Sequence, residues 1–343
     1  MAPGSSVAAK EAGGTRPDAP DGQPTAAKGR DIRHLAAQYG LIAGLAAMII
    51  IFGVLRPDAF FTVANLKSTA TIMAPLLVLS VGLTVPLSMG EFDLSISSAT
   101  QLWAVLMVSF ISLHGLAWGL SVGLVVIIGA ATGALIGLVI VRSRVNAFIV
   151  TLGVGTVMAG LEFAVARGTT LYQNIPPSYT NVGVGEFFGI PVAAIVAVTF
   201  CVLVWLITER TVVGRQMRAV GGNAEAARLC GVQVNVLRTL GFVSTAVAGV
   251  LAALLITAQA SSYYPNAAAA MLLPAYAACF LGTTVFRSNL FDVAGTMVGV
   301  FFLAAVQNGL LVLGVPSWTA QVAQGVLLVV AVVASKLASG ATR

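Results

Sequence analysis

The chain has 343 residues, 58% of them hydrophobic and only 9% charged, with a formal net charge of +6. A soluble domain carries about 25% charged residues, so this composition excludes a water-soluble globular protein. The apolar runs are long and continuous rather than short and alternating, which favours membrane-spanning helices over a barrel. The expected fold is an all-α polytopic transmembrane bundle.

Residues 1–34 are rich in Ala, Gly, Pro, Ser and Thr without periodicity. They read as a disordered cytoplasmic tail. The span-length apolar run that follows argues against a cleaved leader. A membrane helix needs about 20 mostly apolar residues. Candidate spans fall at 36–55, 70–89, 94–113, 115–141, 146–166, 190–208, 239–260, 271–286, 293–314 and 317–336, about ten in all, within a permease domain of residues 35–337. Residues 338–343 form a second cytoplasmic tail.

Orientation follows from Lys and Arg in short loops. Lys28, Arg30 and Arg33 precede the first span. Arg142 and Arg144 follow the fourth, and Arg287 the eighth. Lys336 and Arg343 fall at and beyond the end of the tenth. The segment after the sixth span holds Arg210, Arg215, Arg218, Arg228 and Arg238. The opposite loops hold only Arg56, Lys67 and Arg167. With ten spans, the basic loops and both termini lie on the cytoplasmic side of a bacterial inner membrane.

Between 75 and 95 the pattern changes. Pro75, Gly82, Pro86 and Gly90 lead into Glu91 and Asp93. Ionisable groups at membrane depth are costly and mark functional candidates. A broken helix whose freed backbone lines a cavity is expected here. Glu91, Asp93 and Ser95 are accordingly placed at or near a central cavity of a dimer. A hydrated turn that caps the next helix is the other reading of the two carboxylates. Asn146, Thr151, Thr156, Glu162, Gln259, Tyr276, Gln307 and Asn308 are further polar residues inside spans. Of these Asn146, Thr151, Gln259, Tyr276 and Asn308 suit hydrogen bonding to a hydroxylated solute, although interhelical bonding accounts for such residues as well. Gly129, Gly133 and Gly137, with the pairs Gly40/Gly44 and Gly295/Gly299, recur at four-residue steps. They predict close helix contacts.

Residues 209–238 are of another character, with five Arg against Glu209 and Glu225, so 5 − 2 = +3. Asn223 suits an N-cap, Glu225 a first helical turn, and Gly231 a left-handed C-terminal cap. A helix of about two turns over 224–230, roughly 10 Å long, follows. Ala226 and Ala227 leave it a face that a partner can approach. The chain has no phosphate-binding G-x-x-x-x-G-K-[ST] loop. His34 and His114 stand apart from any carboxylate cluster. Cys201, Cys230 and Cys279 have neither metal-ligand nor disulfide spacing. No catalytic or metal constellation is present in the sequence, and any energy must come from another chain.

Glu225-Ala226-Ala227-x-x-x-Gly231 resembles the signature cytoplasmic loop of ABC importer permeases. Thr211-x-x-Gly214-Arg215, Ala219-Val220-Gly221-Gly222-Asn223 and Ala226-Ala227-Arg228-x-x-Gly231 narrow the likeness to the ribose/xylose/galactose-type sugar permeases. Gly90-Glu91-Phe92-Asp93-Leu94-Ser95-Ile96-Ser97-Ser98, Ala147-Phe148-Ile149-Val150-Thr151-Leu152-Gly153, Leu281-Gly282-Thr283-Thr284, Gly295-Thr296 and Asn308-Gly309-Leu310 continue it. Ser97 departs from that family's usual glycine, and Arg287-Ser288-Asn289 replace an expected glycine pair. The resemblance implies a non-enzymatic permease subunit that imports a sugar, polyol or nucleoside. Asn223, Glu225, Ala226, Ala227, Arg228 and Gly231 would form the coupling helix that docks on an ATPase, which carries the ATP and Mg. A solute-binding protein and a second permease chain complete the implied assembly. An ion-gradient-driven transporter using Glu91, Asp93 and Glu162 is the alternative.

Overall fold

The computed structural model describes residues 27–286, 290–316, 318–327 and 329, with side chains from Leu41 onward. The tail up to residue 26, the Arg287–Asn289 departure and residues 338–343 lie outside these residues, as does part of the tenth expected span.

The helices are α1 (Ala27–Leu55), α2 (Pro57–Phe60), α3 (Val63–Leu87), α4 (Ile96–Ser112), α5 (Trp118–Ser143), α6 (Ala147–Ala166) and α7 (Pro177–Val184). There follow α8 (Val192–Trp205), α9 (Val212–Gly222), α10 (Ala224–Leu229), α11 (Val234–Ala260), α12 (Leu272–Gly282) and α13 (Val293–Val312). A π-helical turn, Leu206–Arg210, prolongs α8, and a short antiparallel hairpin joins β1 (Glu186–Phe187) to β2 (Ile190–Pro191). Residues 318–327 are helical as well. The protein is therefore an all-α, multi-pass membrane bundle.

Among the described residues, six helices are long and apolar enough to cross a membrane: α3, α5, α6, α8 with its π turn, α11 and α13. Residues 41–55 of α1, helix α4 and the stretch Ala269–Gly282 are apolar but shorter. The eighth expected span, 271–286, shrinks to α12. Its eleven residues reach about 16 Å, half of a hydrocarbon core about 30 Å thick. Irregular chain from Ser261 to Ala268 supplies the remaining path. Helix α1 begins at Ala27, inside the segment expected to be an irregular tail.

Helices α3 and α11 form the centre. In their most apolar stretches 83% and 67% of residues are buried, against 22% in α6 and 28% in α8. The glycine steps do the packing expected of them. A Cβ on Gly133 would fall 2.6 Å from the Phe242 carbonyl oxygen, and one on Gly137 2.6 Å from Thr239 Cα, so α5 lies backbone to backbone on α11. Gly295 and Gly299 press against Gly282 and Ala278 of α12 in the same way, and Gly44 meets Phe302 of α13.

The helix break lies at residues 88–95 rather than at Pro75. Helix α3 runs unbroken through Pro75, which has no N–H for the Thr71 carbonyl four residues back. Gln259 of α11 fills that vacancy by donating its Nε2 to Thr71 O at 2.8 Å. A residue expected on a solute path thus satisfies a proline-orphaned carbonyl.

The bundle has two distinct ends. At one, α3, α5 and α8 finish, α6 and α11 begin, and α9–α10 lie across them. At the other stand α7, the β hairpin and the Lys67–Glu186 ion pair, which ties the start of α3 to the hairpin at 2.7 Å.

Candidate functional site

The segment between α8 and α11 forms two short helices with different jobs. Thr211 caps α9 by accepting from Gly214 N–H. Gly214, Met217 and Val220 recur every three residues and are buried, so α9 lies with one face on the bundle. Arg218 pairs with Glu209 at 3.0 Å and donates to the Thr208 carbonyl at 2.7 Å, while Arg210 lies 5.1 Å from the Trp205 ring centre. These contacts tie α9 to the end of α8.

Helix α10 has the caps that its sequence requires. Asn223 Oδ1 accepts from the N–H groups of Glu225 and Ala226, both at 3.0 Å. Gly231 has φ +84°, and the Val232 N–H returns to the Ala227 carbonyl at 3.1 Å, closing a Schellman end. The helix ends at Leu229, with Cys230 as its C-cap, slightly shorter than 224–230. Glu225 and Arg228 form an exposed pair at 3.2 Å.

The two alanines divide. Ala226 is exposed, whereas Ala227 is buried in the main hydrophobic core. Ala227 therefore anchors α10 to the bundle, and the expectation that both alanines offer the docking face is corrected. Leu229, 83% exposed, shares the free face, and sequence reasoning missed it.

Two contacts link this end to the acidic break. A Cβ on Gly221 would fall 2.0 Å from the Ser88 carbonyl oxygen, so α9 abuts the end of α3. Arg238, in the first turns of α11, pairs with Glu91 at 2.6 Å, and both side chains are half-buried. Removing one partner of such a half-buried pair leaves the other partly desolvated, at a cost of about 1–3 kcal/mol.

Within the break the side chains converge. Asp93 is 3% exposed. Its Oδ1 accepts from the Ser95 N–H at 3.0 Å and the Ser95 hydroxyl at 2.5 Å. Its Oδ2 accepts from the Thr245 hydroxyl of α11 at 2.5 Å. Thr151 of α6 donates to the Ala147 carbonyl at 2.8 Å and accepts from the Leu94 N–H at 3.1 Å. The Tyr276 ring stacks on Phe92, 6.2 Å apart and 10° from parallel. The Tyr276 hydroxyl is buried beside the Asp93 backbone. Ser97 donates to the Ala268 carbonyl at 2.8 Å, so the departure from glycine is used as a tie.

Glu91, Asp93, Ser95, Thr151 and Tyr276 thus form one cluster, together with Thr245 and Arg238, which the sequence reading did not include. The remaining pathway candidates lie elsewhere. Asn146 is exposed outside the helix, where it caps α6 through Phe148 N–H. Gln259 stands about 21 Å along α11 from Thr245, at 1.5 Å per residue. Asn308 is half-buried on α13.

The described residues form a helical membrane bundle with a capped, outward-facing helix across one end. The comparisons identify which class of protein it is. Residues 65–332 match the family described as branched-chain amino acid transport system / permease component. The chain is 30% identical over 306 residues to the ribose import permease protein RbsC of Haemophilus influenzae, covering 88% of this chain and 94% of that one. It is 31% identical over 298 residues to RbsC of Bacillus subtilis, covering 86% and 91%. With the L-arabinose transport system permease protein AraH of Escherichia coli it shares 27% over 307 residues, covering 89% and 92%. No solved structure matches. The chain belongs to this family of transport permeases, which includes sugar importer permeases. It is a membrane-embedded transport subunit and not an enzyme.

Proposed function

We propose that this chain is the membrane-spanning permease of an ATP-driven importer for a sugar or a sugar-like polar solute. ATP and Mg are held by a separate ATPase, and a solute-binding protein delivers cargo at the hairpin end. In this reading the chain has ten spans with both termini and α9–α10 on the cytoplasmic side. The observation that carries the reading is α10. It is capped at both ends and anchored inward by Ala227, and it presents Glu225, Ala226, Arg228 and Leu229 outward. Work applied to that face would pass through Gly221–Ser88 and Arg238–Glu91 into the break between α3 and α4.

The pathway lies between two permease copies. Support comes from α6, the least buried span. Its buried residues Thr151, Gly155, Met158, Glu162 and Ala166 occupy one face. Gly153, Thr156, Gly160 and Ala164 stand directly opposite and are exposed. The same surface of α6 also carries Ile149, Leu152, Val157, Leu161 and Phe163, so the small residues form a strip between larger apolar side chains. Small residues at four-residue steps suit a second helix or a passing solute better than lipid. The three carboxylates that an ion-coupled carrier would use are engaged by protein groups: Glu91 by Arg238, Asp93 by Ser95 and Thr245, and Glu162 by Tyr263. This favours the ATP-driven reading.

Purification from the native host tests the proposal. An ATP-binding cassette ATPase should co-purify in stoichiometric amount, and its hydrolysis should rise when the cognate binding protein is added. Uptake abolished by a protonophore but unaffected by vanadate would refute it. Mass spectrometry of the small molecule released from the binding protein identifies the cargo.

A further inference from the structure

The irregular segment between α11 and α12 dips back into the bundle. Thr100 of α4 lies beside Gly249 of α11, so these residues share a level. Helix α11 continues from Gly249 to Ala260, about 16 Å at 1.5 Å per residue. Ser97, about one turn before Thr100, nevertheless holds the Ala268 carbonyl at 2.8 Å. The chain leaving α11 at Ser261 has therefore returned to the level of the first turn of α4 by Ala268. Non-helical backbone at membrane depth persists only where it is buried in protein or lines a cavity.

Both ends of the segment are fastened. Tyr263 is fully buried, exchanges two backbone hydrogen bonds with Leu171 at 2.8 and 2.9 Å, and donates its hydroxyl to the buried carboxylate of Glu162. Ala268 is buried and held by Ser97. Between these ties the chain exposes Tyr264, 42% accessible, and Asn266, which takes a left-handed φ of +62°. Ser261 is left-handed too, at +52°. The segment is thus pinned in a strained path that holds one aromatic ring and one carboxamide clear of the core.

We propose that Tyr264 and Asn266 line the translocation pathway and contact the solute, as a site for a neutral polyhydroxylated molecule. A carboxamide offers both donors and an acceptor to hydroxyl groups, and a tyrosine adds a ring face and a further hydroxyl. Neither carries charge, and the nearby Glu162 is engaged by Tyr263, so nothing here recruits an ionic cargo. The proposal rests on the permease reading and adds the residues that meet the solute.

The test uses the full transporter in proteoliposomes, in a Cys230→Ser background because Cys230 is the exposed cysteine of the three. Single cysteines replace Tyr264, Asn266 or, as a lipid-facing control, Leu138. A membrane-impermeant cationic thiosulfonate should modify positions 264 and 266 at least about tenfold faster than 138, the margin expected between water and hydrocarbon exposure. Ribose at high concentration should slow the reaction at 266, while glutamate at equal osmolarity should not. Rates at 264 and 266 as slow as at 138 would overturn the pathway assignment. Equal protection by both solutes, or by neither, would overturn the assigned solute chemistry. Reactivity does not depend on nucleotide, so a transporter that binds no ATPase yet labels at 264 and 266 would sink the energy-source reading and leave this one standing.

Discussion

Asp93 allows a prediction that separates a fastener from a substrate ligand. Its two oxygens already receive three intrachain donors, the Ser95 N–H, the Ser95 hydroxyl and the Thr245 hydroxyl. In Asp93→Asn the carbonyl oxygen keeps both Ser95 bonds. The new amide N–H₂ faces Thr245, whose hydroxyl can turn its proton to the Phe242 carbonyl, already 2.9 Å away. Each bond weakens from charge-assisted to neutral, but a buried charge is removed in exchange, so the net change stays within about 1 kcal/mol. In Asp93→Ala both hydroxyls can rotate elsewhere, but the Ser95 N–H cannot. One buried orphan donor costs about 1–3 kcal/mol, and the emptied volume adds about 1 more. Thermal unfolding followed by fluorescence-detected size exclusion should therefore place Asn near the parent and Ala well below it. ATPase stimulation by the binding protein should follow the same order. If Asn melts like the parent but loses stimulation as completely as Ala, the negative charge itself serves transport and the fastener argument fails.

Ala226→Trp should leave the melting temperature unchanged and abolish ATPase co-purification, since that side chain is exposed on α10. Ala227→Trp should instead lower the yield of folded protein, because overpacking a filled core costs about 1–3 kcal/mol or more; equal behaviour of the two variants in a pull-down and a melt would contradict the facing assigned to α10. Arg238→Gln alone should destabilise by about 1–3 kcal/mol by stranding Glu91, and Glu91→Gln in the same chain should restore most of that loss. A double-mutant cycle without coupling energy would rule the pair out as a structural tie. Impermeant labelling of cysteines at Gln216 and Ser178 should mark opposite membrane faces, and labelling from one face would eliminate the ten-span topology.

Local signals were readable in the sequence because their physics is local. Asn223 and Gly231 announce the ends of α10 through cap chemistry, and the four-residue glycine steps announce close helix contacts. The cluster around Asp93 was half legible. Its ionisable residues at membrane depth were conspicuous, but its partner Thr245 lies 152 residues away, and nothing local distinguishes that threonine from its neighbours. The inward facing of Ala227 depends on how α10 is rolled against the bundle, which no adjacent pair of alanines encodes. The dip at 261–268 was hidden because the apolar run after it reads as an ordinary span at 271–286. Only the brevity of α12, measured against membrane thickness, reveals that half of the crossing is made by other means.

The bond between Gln259 and the Thr71 carbonyl has a consequence for how this chain can change over generations. Pro75 is tolerable in α3 because a side chain from α11 stands in for the missing donor. Restoring the donor, as Pro75→Ala would, lets the Thr71 carbonyl accept from both the backbone and the glutamine, since a carbonyl oxygen has two lone pairs. Losing the glutamine first leaves the proline's orphaned carbonyl bare. Loss of the glutamine is therefore costly while Pro75 is present and cheap once the proline has gone. Positions 75 and 259 are therefore an epistatic pair with an order, and a lineage that lacks the glutamine should be found to lack the proline too.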